Sequence, residues 1–354
     1  MNVWVCCEDS RRSGTVPHSV RGCHVAHPHT VSAWWLDRTP FDASQFGTDG
    51  DDDDDDEDDD DDSSSSVASA LPDLVLDPET HVLSLLNARD DVVRAFTLSI
   101  ERFVCIGRDE RELESVLDEA TRQRCTTFVV LLAPRTVVDV CRVVVPRGEL
   151  LESVQLFSDV RDLALADYDE RPIDVAQLDF ASVRRRVLLP LDDGGGGASF
   201  LCSQGCGGQF THFLPQTRYA IDLECAVGTP VRSVADGVVR EVKCDVTARG
   251  AHTLNLWQYN IVIVEHDDGT FADFVHVRAH SAVVRVGEHV RAGQQLCESG
   301  DVGFCPVPHL HFQLAESGAN DALPVPFVFR ADDDASKLFL PMAGQRCNAS
   351  GLML

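Results

Sequence analysis

From His81 onward the apolar residues arrive in runs too short to build long helices, and this more than anything limits what the chain can fold into. Val82-Leu83-Ser84-Leu85-Leu86, Ala95-Phe96-Thr97-Leu98-Ser99-Ile100 and Phe128-Val129-Val130-Leu131-Leu132 each end in polar turn residues. Short runs of apolar and β-branched residues that alternate in part suit strands. Glu110 to Arg124 is the exception, because Leu113, Val116, Leu117 and Ala120 recur at helical spacing and predict a helix there. Residues 78–185 therefore read as a small β-rich domain, a sandwich, with no catalytic set in it. The basic triplet Arg184-Arg185-Arg186 reads as a solvated boundary.

Asp192-Asp193 and the glycines Gly194 to Gly197 mark a linker. Beyond it, Tyr219 to Leu223, Val231 to Val242, Asn260 to Val264 and Phe271 to Val277 are strand-like, and Asp267-Asp268-Gly269 is a good hairpin turn between two of them. Residues 186–330 thus form an antiparallel β domain, with 331–354 left as a C-terminal tail. The fold class is mainly β.

Residues 1–77 read as a disordered extension. Asp51 to Asp62 is an unbroken run of 12 acidic residues, followed by Ser63 to Ser66, and such a tract repels itself and stays solvated. Cys23, His24, His27 and His29 form a tract of metal-binding residue types upstream, but no hydrophobic period surrounds them. The acidic run supplies 12 of a net charge of −28, so the remainder is acidic too. An acidic surface repels phosphate backbones and argues against nucleic acid as a partner. No apolar stretch approaches the ~18 residues of a transmembrane helix, and no basic start leads into an apolar segment as a secretory signal would. The 13 cysteines contain no CxxC pair, which weakens a zinc-ribbon reading and leaves the redox compartment open.

Eight of the 13 histidines fall between His212 and His311. His309-Leu310-His311 leads into Phe312-Gln313-Leu314, an alternating strand, so both imidazoles face one way and Leu310 and Phe312 the other. Asp222 is a carboxylate inside the apolar stretch Tyr219 to Leu223 and needs a cation, a donor network or a metal. His276 ends the strand-like stretch Phe271 to Val275 in the same way.

The order of these features resembles the lysostaphin- and LytM-type zinc endopeptidases, which cut peptide cross-bridges of bacterial cell walls. Tyr219-Ala220-Ile221-Asp222, Gly228-Thr229-Pro230-Val231, Ala235-Asp236-Gly237-Val238-Val239 and Phe274-Val275-His276 carry the likeness. Ser299-Gly300-Asp301-Val302-Gly303-Phe304 and Pro308-His309-Leu310-His311-Phe312 complete it. The resemblance covers little more than a third of the chain. It implies a Zn2+ ion held by an upstream histidine, by Asp222 and by His311, with His276 and His309 as catalytic histidines. The family usually places its first ligand histidine four positions before the aspartate, where this chain has Arg218. His212, ten residues before Asp222, is the upstream candidate, with Cys206 or Cys202 next.

Two histidines and a carboxylate leave the fourth tetrahedral position that catalytic zinc needs. The implied function is a zinc metalloendopeptidase acting on a peptide or peptidoglycan substrate, in an extracellular or lumenal compartment. The rival is a non-catalytic relative that binds cell wall or activates another enzyme. His252, His266, His280 and His289 match no catalytic position and read as surface or structural. Gly228, Gly237, Gly287 and Gly300 are expected at turns that need unusual backbone angles.

Overall fold

A computed structural model describes residues 73–165, 179, 182–192, 194, 197–208, 211–319 and 322–353, together with the strand Leu36–Asp37. The acidic and serine tracts and the Cys23, His24, His27 and His29 tract lie outside the described residues. Among the described residues the helical turns are short 3-10 turns, Leu151–Ser153, Pro215–Thr217 and Thr253–Asn255, and everything else that is regular is strand.

Two sheets build the first half. Val92–Glu101 is central to one, between Arg124–Leu132 and Gln155–Ala164, both antiparallel to it. The short strand Leu36–Asp37 lies parallel to Arg124–Leu132 at its edge. The other sheet pairs Leu74–Leu76, Val82–Asn87, Thr136–Val144 and Val104–Ile106 in that spatial order. Phe96, Leu98, Ile100, Phe128, Val130 and Leu132 meet Leu83, Leu85, Val138 and Val140 in one buried core, which makes the pair a sandwich. Pairing begins at Leu74, ahead of residue 78.

No helix forms over Glu110–Arg124. Val116–Leu117 is a two-residue strand paired to Arg124 and Cys125. Between them Asp118 accepts from the backbone N–H groups of Ala120 and Thr121 at 3.1 and 2.9 Å and turns the chain. Glu110 and Arg122 have φ of 61° and 59°, a left-handed conformation that an α-helix does not contain. The helical spacing of four apolar residues is outweighed by strand pairing and turn chemistry.

The second half is organised on a nine-stranded antiparallel sheet. Its spatial order is His289–Val290, Gly237–Lys243, Ile261–His266, Phe271–Val275, His309–Ala315, Ile221–Glu224, Phe200–Gln204, Arg346–Asn348 and Gly351–Leu352. The Asp267-Asp268-Gly269 turn joins its third and fourth strands, with Gly269 at φ 80°. One face packs Ile221, Leu223, Val262, Val264, Phe274, Leu310 and Phe312 onto a second layer holding Leu189, Phe327, Phe329 and Phe339. Residues 331–353, read from sequence as a tail, belong to this fold. Phe339, Leu340 and Cys347 are buried in its core, and Arg346–Asn348 pairs with Phe200–Gln204.

The glycines divide by cause. Gly228 and Gly287 hold the left-handed φ values of 93° and 86°. Gly237 and Gly300 do not; there a Cβ would strike backbone, the Glu265 carbonyl in one case and Arg278 N at 2.7 Å in the other.

Candidate functional site

The other face of the nine-stranded sheet carries the polar residues that the sequence singled out. Antiparallel register sets Asp222 directly opposite His311, and His311 opposite Val275, the residue before His276. Because neighbours along a strand alternate faces, burying Leu223, Leu310 and Phe312 below forces Asp222, His309 and His311 above. His311 Nδ1 lies 2.9 Å from Asp222 Oδ1.

His212 reaches this point from a loop. Its Nε2 is 3.2 Å from Asp222 Oδ1 and 3.2 Å from His311 Nδ1. Its Nδ1 donates to the carbonyl of Gly205 at 3.0 Å, which fixes the tautomer and turns Nε2 inward. His276 and His309 are held the same way, their Nδ1 atoms donating to Val302 O at 2.7 Å and Val307 O at 2.8 Å. The His276 and His309 rings stand edge to face, 4.6 Å apart, and His309 Nε2 is 3.7 Å from Asp222 Oδ1.

His212, Asp222 and His311 each offer one ligand atom, all within 4.8 Å of one another. Tetrahedral zinc with bonds of ~2.0–2.1 Å spaces its ligand atoms about 3.3 Å apart. The three separations of 2.9, 3.2 and 3.2 Å suit that geometry. The donor chemistry suits it as well, since imidazole held by a backbone carbonyl is how metal-binding histidines are normally oriented.

Electrostatics agree with a site built around negative charge at Asp222. Burial opposes that charge, but His212 and His309 hold the carboxyl well below the usual range. Burial, with the neighbouring His309 and His311, pushes His276 down to about 3. Against the burial that disfavours its charged form, the Cys305 sulfur and Asp222 push His309 up to about 9. Cys305 Sγ sits 3.3 Å from His309 Nδ1. A dication on Asp222 would offset that carboxylate charge and favour neutral imidazole at His309.

Sequence reading missed Gln204. It is buried, and its Nε2 donates to Asp222 Oδ2 at 2.8 Å while its Oε1 accepts from Thr211 N and His212 N at 2.8 and 3.1 Å. It thereby ties the aspartate to the loop that carries the histidine. A strand glutamine has no spacing signal that would announce this. The alternative ligand residues do not join the cluster: Cys206 donates to Tyr219 O at 3.4 Å, and burial pushes its thiol up to about 12. Burial raises the Cys202 thiol as well. His252 and His266 are buried away from the site, and His280 and His289 are exposed.

Residues 216–322 match the sequence profile of Peptidase family M23. The chain carries an M23 peptidase domain. Over 113 residues it is 34% identical to the glycyl-glycine endopeptidase ALE-1 of Staphylococcus capitis, covering 31% of this chain and 28% of that protein. It is 26% identical over 128 residues to the peptidoglycan DD-endopeptidase ShyC of Vibrio cholerae, covering 35% of this chain and 27% of the relative. The chain thus spans 28% and 27% of the length of these curated relatives. Among solved structures, the catalytic domain of the antimicrobial peptidase lysostaphin from Staphylococcus simulans aligns at 25% identity. That alignment covers 36% of this chain and 87% of that one, with a TM-score of 0.27. His212 stands just ahead of the matched M23 segment, whereas Asp222, His276, His309 and His311 lie inside it.

Proposed function

We propose that this protein is a zinc-dependent endopeptidase whose M23 domain hydrolyses peptide bonds in bacterial peptidoglycan cross-bridges, and so acts outside the cytoplasm. The convergence of His212, Asp222 and His311 on one point carries the reading. The names of its relatives, a glycyl-glycine endopeptidase and a peptidoglycan DD-endopeptidase, supply the substrate class. Zinc bound there supplies a Lewis acid that polarises the scissile carbonyl and acidifies a water molecule.

The chain's own residues do the rest. His212, Asp222 and His311 would hold the ion. His276 and His309, their Nδ1 atoms already engaged, present Nε2 to the reacting groups. In this tautomer each neutral ring has a bare Nε2, so one ring accepts the water's proton there, and the imidazolium so formed has the Nε2–H that can donate to the negative charge developing on the carbonyl oxygen. Gln204 keeps the carboxylate and the His212 loop in register with each other.

The test is zinc content per chain of the full protein and of Asp222→Ala, beside release of new amino groups from purified peptidoglycan. Near-stoichiometric zinc that disappears in the variant, with amine release by the parent alone, is the expected result. A folded parent that holds no zinc and releases no amines would overturn the reading in favour of a non-catalytic cell-wall module.

A further inference from the structure

The sandwich and the M23 domain meet through an apolar surface, and the meeting point is the residue after His212. Phe213, 8% exposed, packs against Val93, Ala95, Val129, Leu131 and Leu163, with Leu214 beside it. These five residues lie on the outer face of the sheet containing Val92–Glu101 and Arg124–Leu132. Phe96, Leu98, Phe128 and Val130 on the same strands point into the sandwich core. Both faces of these strands are therefore covered, the outer one apolar at Val93, Ala95, Val129 and Leu131 and polar further along at Ser99 and Thr127.

A separate zone fixes the two halves together. Ser99 Oγ bonds Thr253 Oγ1 and accepts from Thr253 N, each at 2.9 Å, and Asn255 Nδ2 donates to Asp118 Oδ2 at 3.1 Å. Arg161 stacks over the Trp257 ring at 4.1 Å.

Asp222, His309 and His311 are positioned by strand register, but His212 sits in a loop that the sheet holds on one side only, through Gln204 and the Gly205 carbonyl. Its ring must nevertheless meet two partners at 3.2 Å. We propose that Phe213 is a positioning residue for the metal site: seated in the apolar face of the sandwich, it sets where the His212 imidazole stands. The sandwich then forms part of the wall that shapes the centre. This inference rests on His212 being a ligand, as proposed above. Loss of an outer partner of a metal ligand typically weakens affinity 10–100-fold.

The experiment uses the full chain and measures zinc affinity by competition with a chromophoric chelator, with thermal melting of the metal-free proteins alongside. Phe213→Ala is expected to melt cooperatively and bind zinc about 10-fold or more weakly. Phe213→Leu, which still fills the cavity, should restore affinity to within a few-fold. If Phe213→Ala binds zinc as the parent does while His212→Ala does not, the positioning role is overturned and the ligand assignment stands. If His212→Ala itself binds as tightly as the parent, both fall. Should Phe213→Ala not fold, Leu163→Ala opens the same contact from the sandwich side and is judged by the same two criteria.

Discussion

At the scale of single residues the two histidines outside the ligand set give the sharpest test of the proposed chemistry. His309→Ala should keep zinc at the parent's stoichiometry and lose roughly 10²–10⁴-fold in peptide hydrolysis, the usual contribution of a positioned acid–base group. Zinc analysis and a turnover assay on the same preparation check this, and full activity would remove His309 from the mechanism. Asp273 offers a test of a different kind. Its carboxylate accepts from Gln313 Nε2 at 2.9 Å, while Gln313 Oε1 is buried with no partner. Burial raises the carboxyl from 3.8 to about 6, so the folded protein keeps a proton that the unfolded chain has released. The associated stability is fully present below about pH 4 and is lost as pH rises through about 6. Asp273→Asn should therefore stabilise the protein by about 3 kcal/mol at most near neutral pH and by almost nothing near pH 4, as read from denaturant unfolding at both. Asp222, His309 and His311 were legible in the sequence because a polar residue amid alternating apolar neighbours has only one face to occupy. Gln204 was not, since its reach to Asp222 depends on a register irregularity between Cys202 and Gln204 that only the paired strands reveal.

Among the elements, the His309–Ala315 strand carries the greatest burden. It lies in mid-sheet, with its core face at Leu310, Phe312 and Leu314 fully buried. Leu310→Ala should cost about 2–5 kcal/mol of stability, measurable as a lower midpoint in urea, and should disturb His309 and His311 on either side of it. Strand character was readable wherever a short β-branched run met a Gly or Asp turn, as at Ile261–His266 and Phe271–Val275. The stretch from Glu110 to Arg124 misled because hydrophobic spacing reports a repeat and not the backbone angles beneath it. Asp118 and the left-handed Arg122 are the residues that decided the matter. Gly300 makes the converse point. Sequence marks the glycine, but only the approach of Arg278 shows that space, not torsion, demands it.

Over the whole molecule, a buried imidazole links the two halves to pH. His252 is fully enclosed, its Nε2 3.3 Å from Glu101 Oε1 and its ring edge-on to Phe157, with Asp118 also nearby. Burial lowers its pKa in spite of the two carboxylates. The separated halves would take up a proton that the docked form resists, so docking is strongest above pH ~6.5 and weakens as pH falls. Melting temperature should decline on acidification from about pH 7.5 toward pH 5, and His252→Gln should flatten that part of the curve. Only half of this contact was legible beforehand: the run Phe128 to Leu132 has no polar face, but no residue in it names what covers the second side. The pairing of Phe200–Gln204 with Arg346–Asn348 carries a consequence in time. Gln204 emerges from a ribosome long before residue 346, yet its strand lacks a neighbour on that side until Cys347 arrives opposite Phe200. A nascent chain therefore holds the four site histidines and Asp222 before the sheet beneath them is complete, and the site's final support waits on the strand Arg346–Asn348.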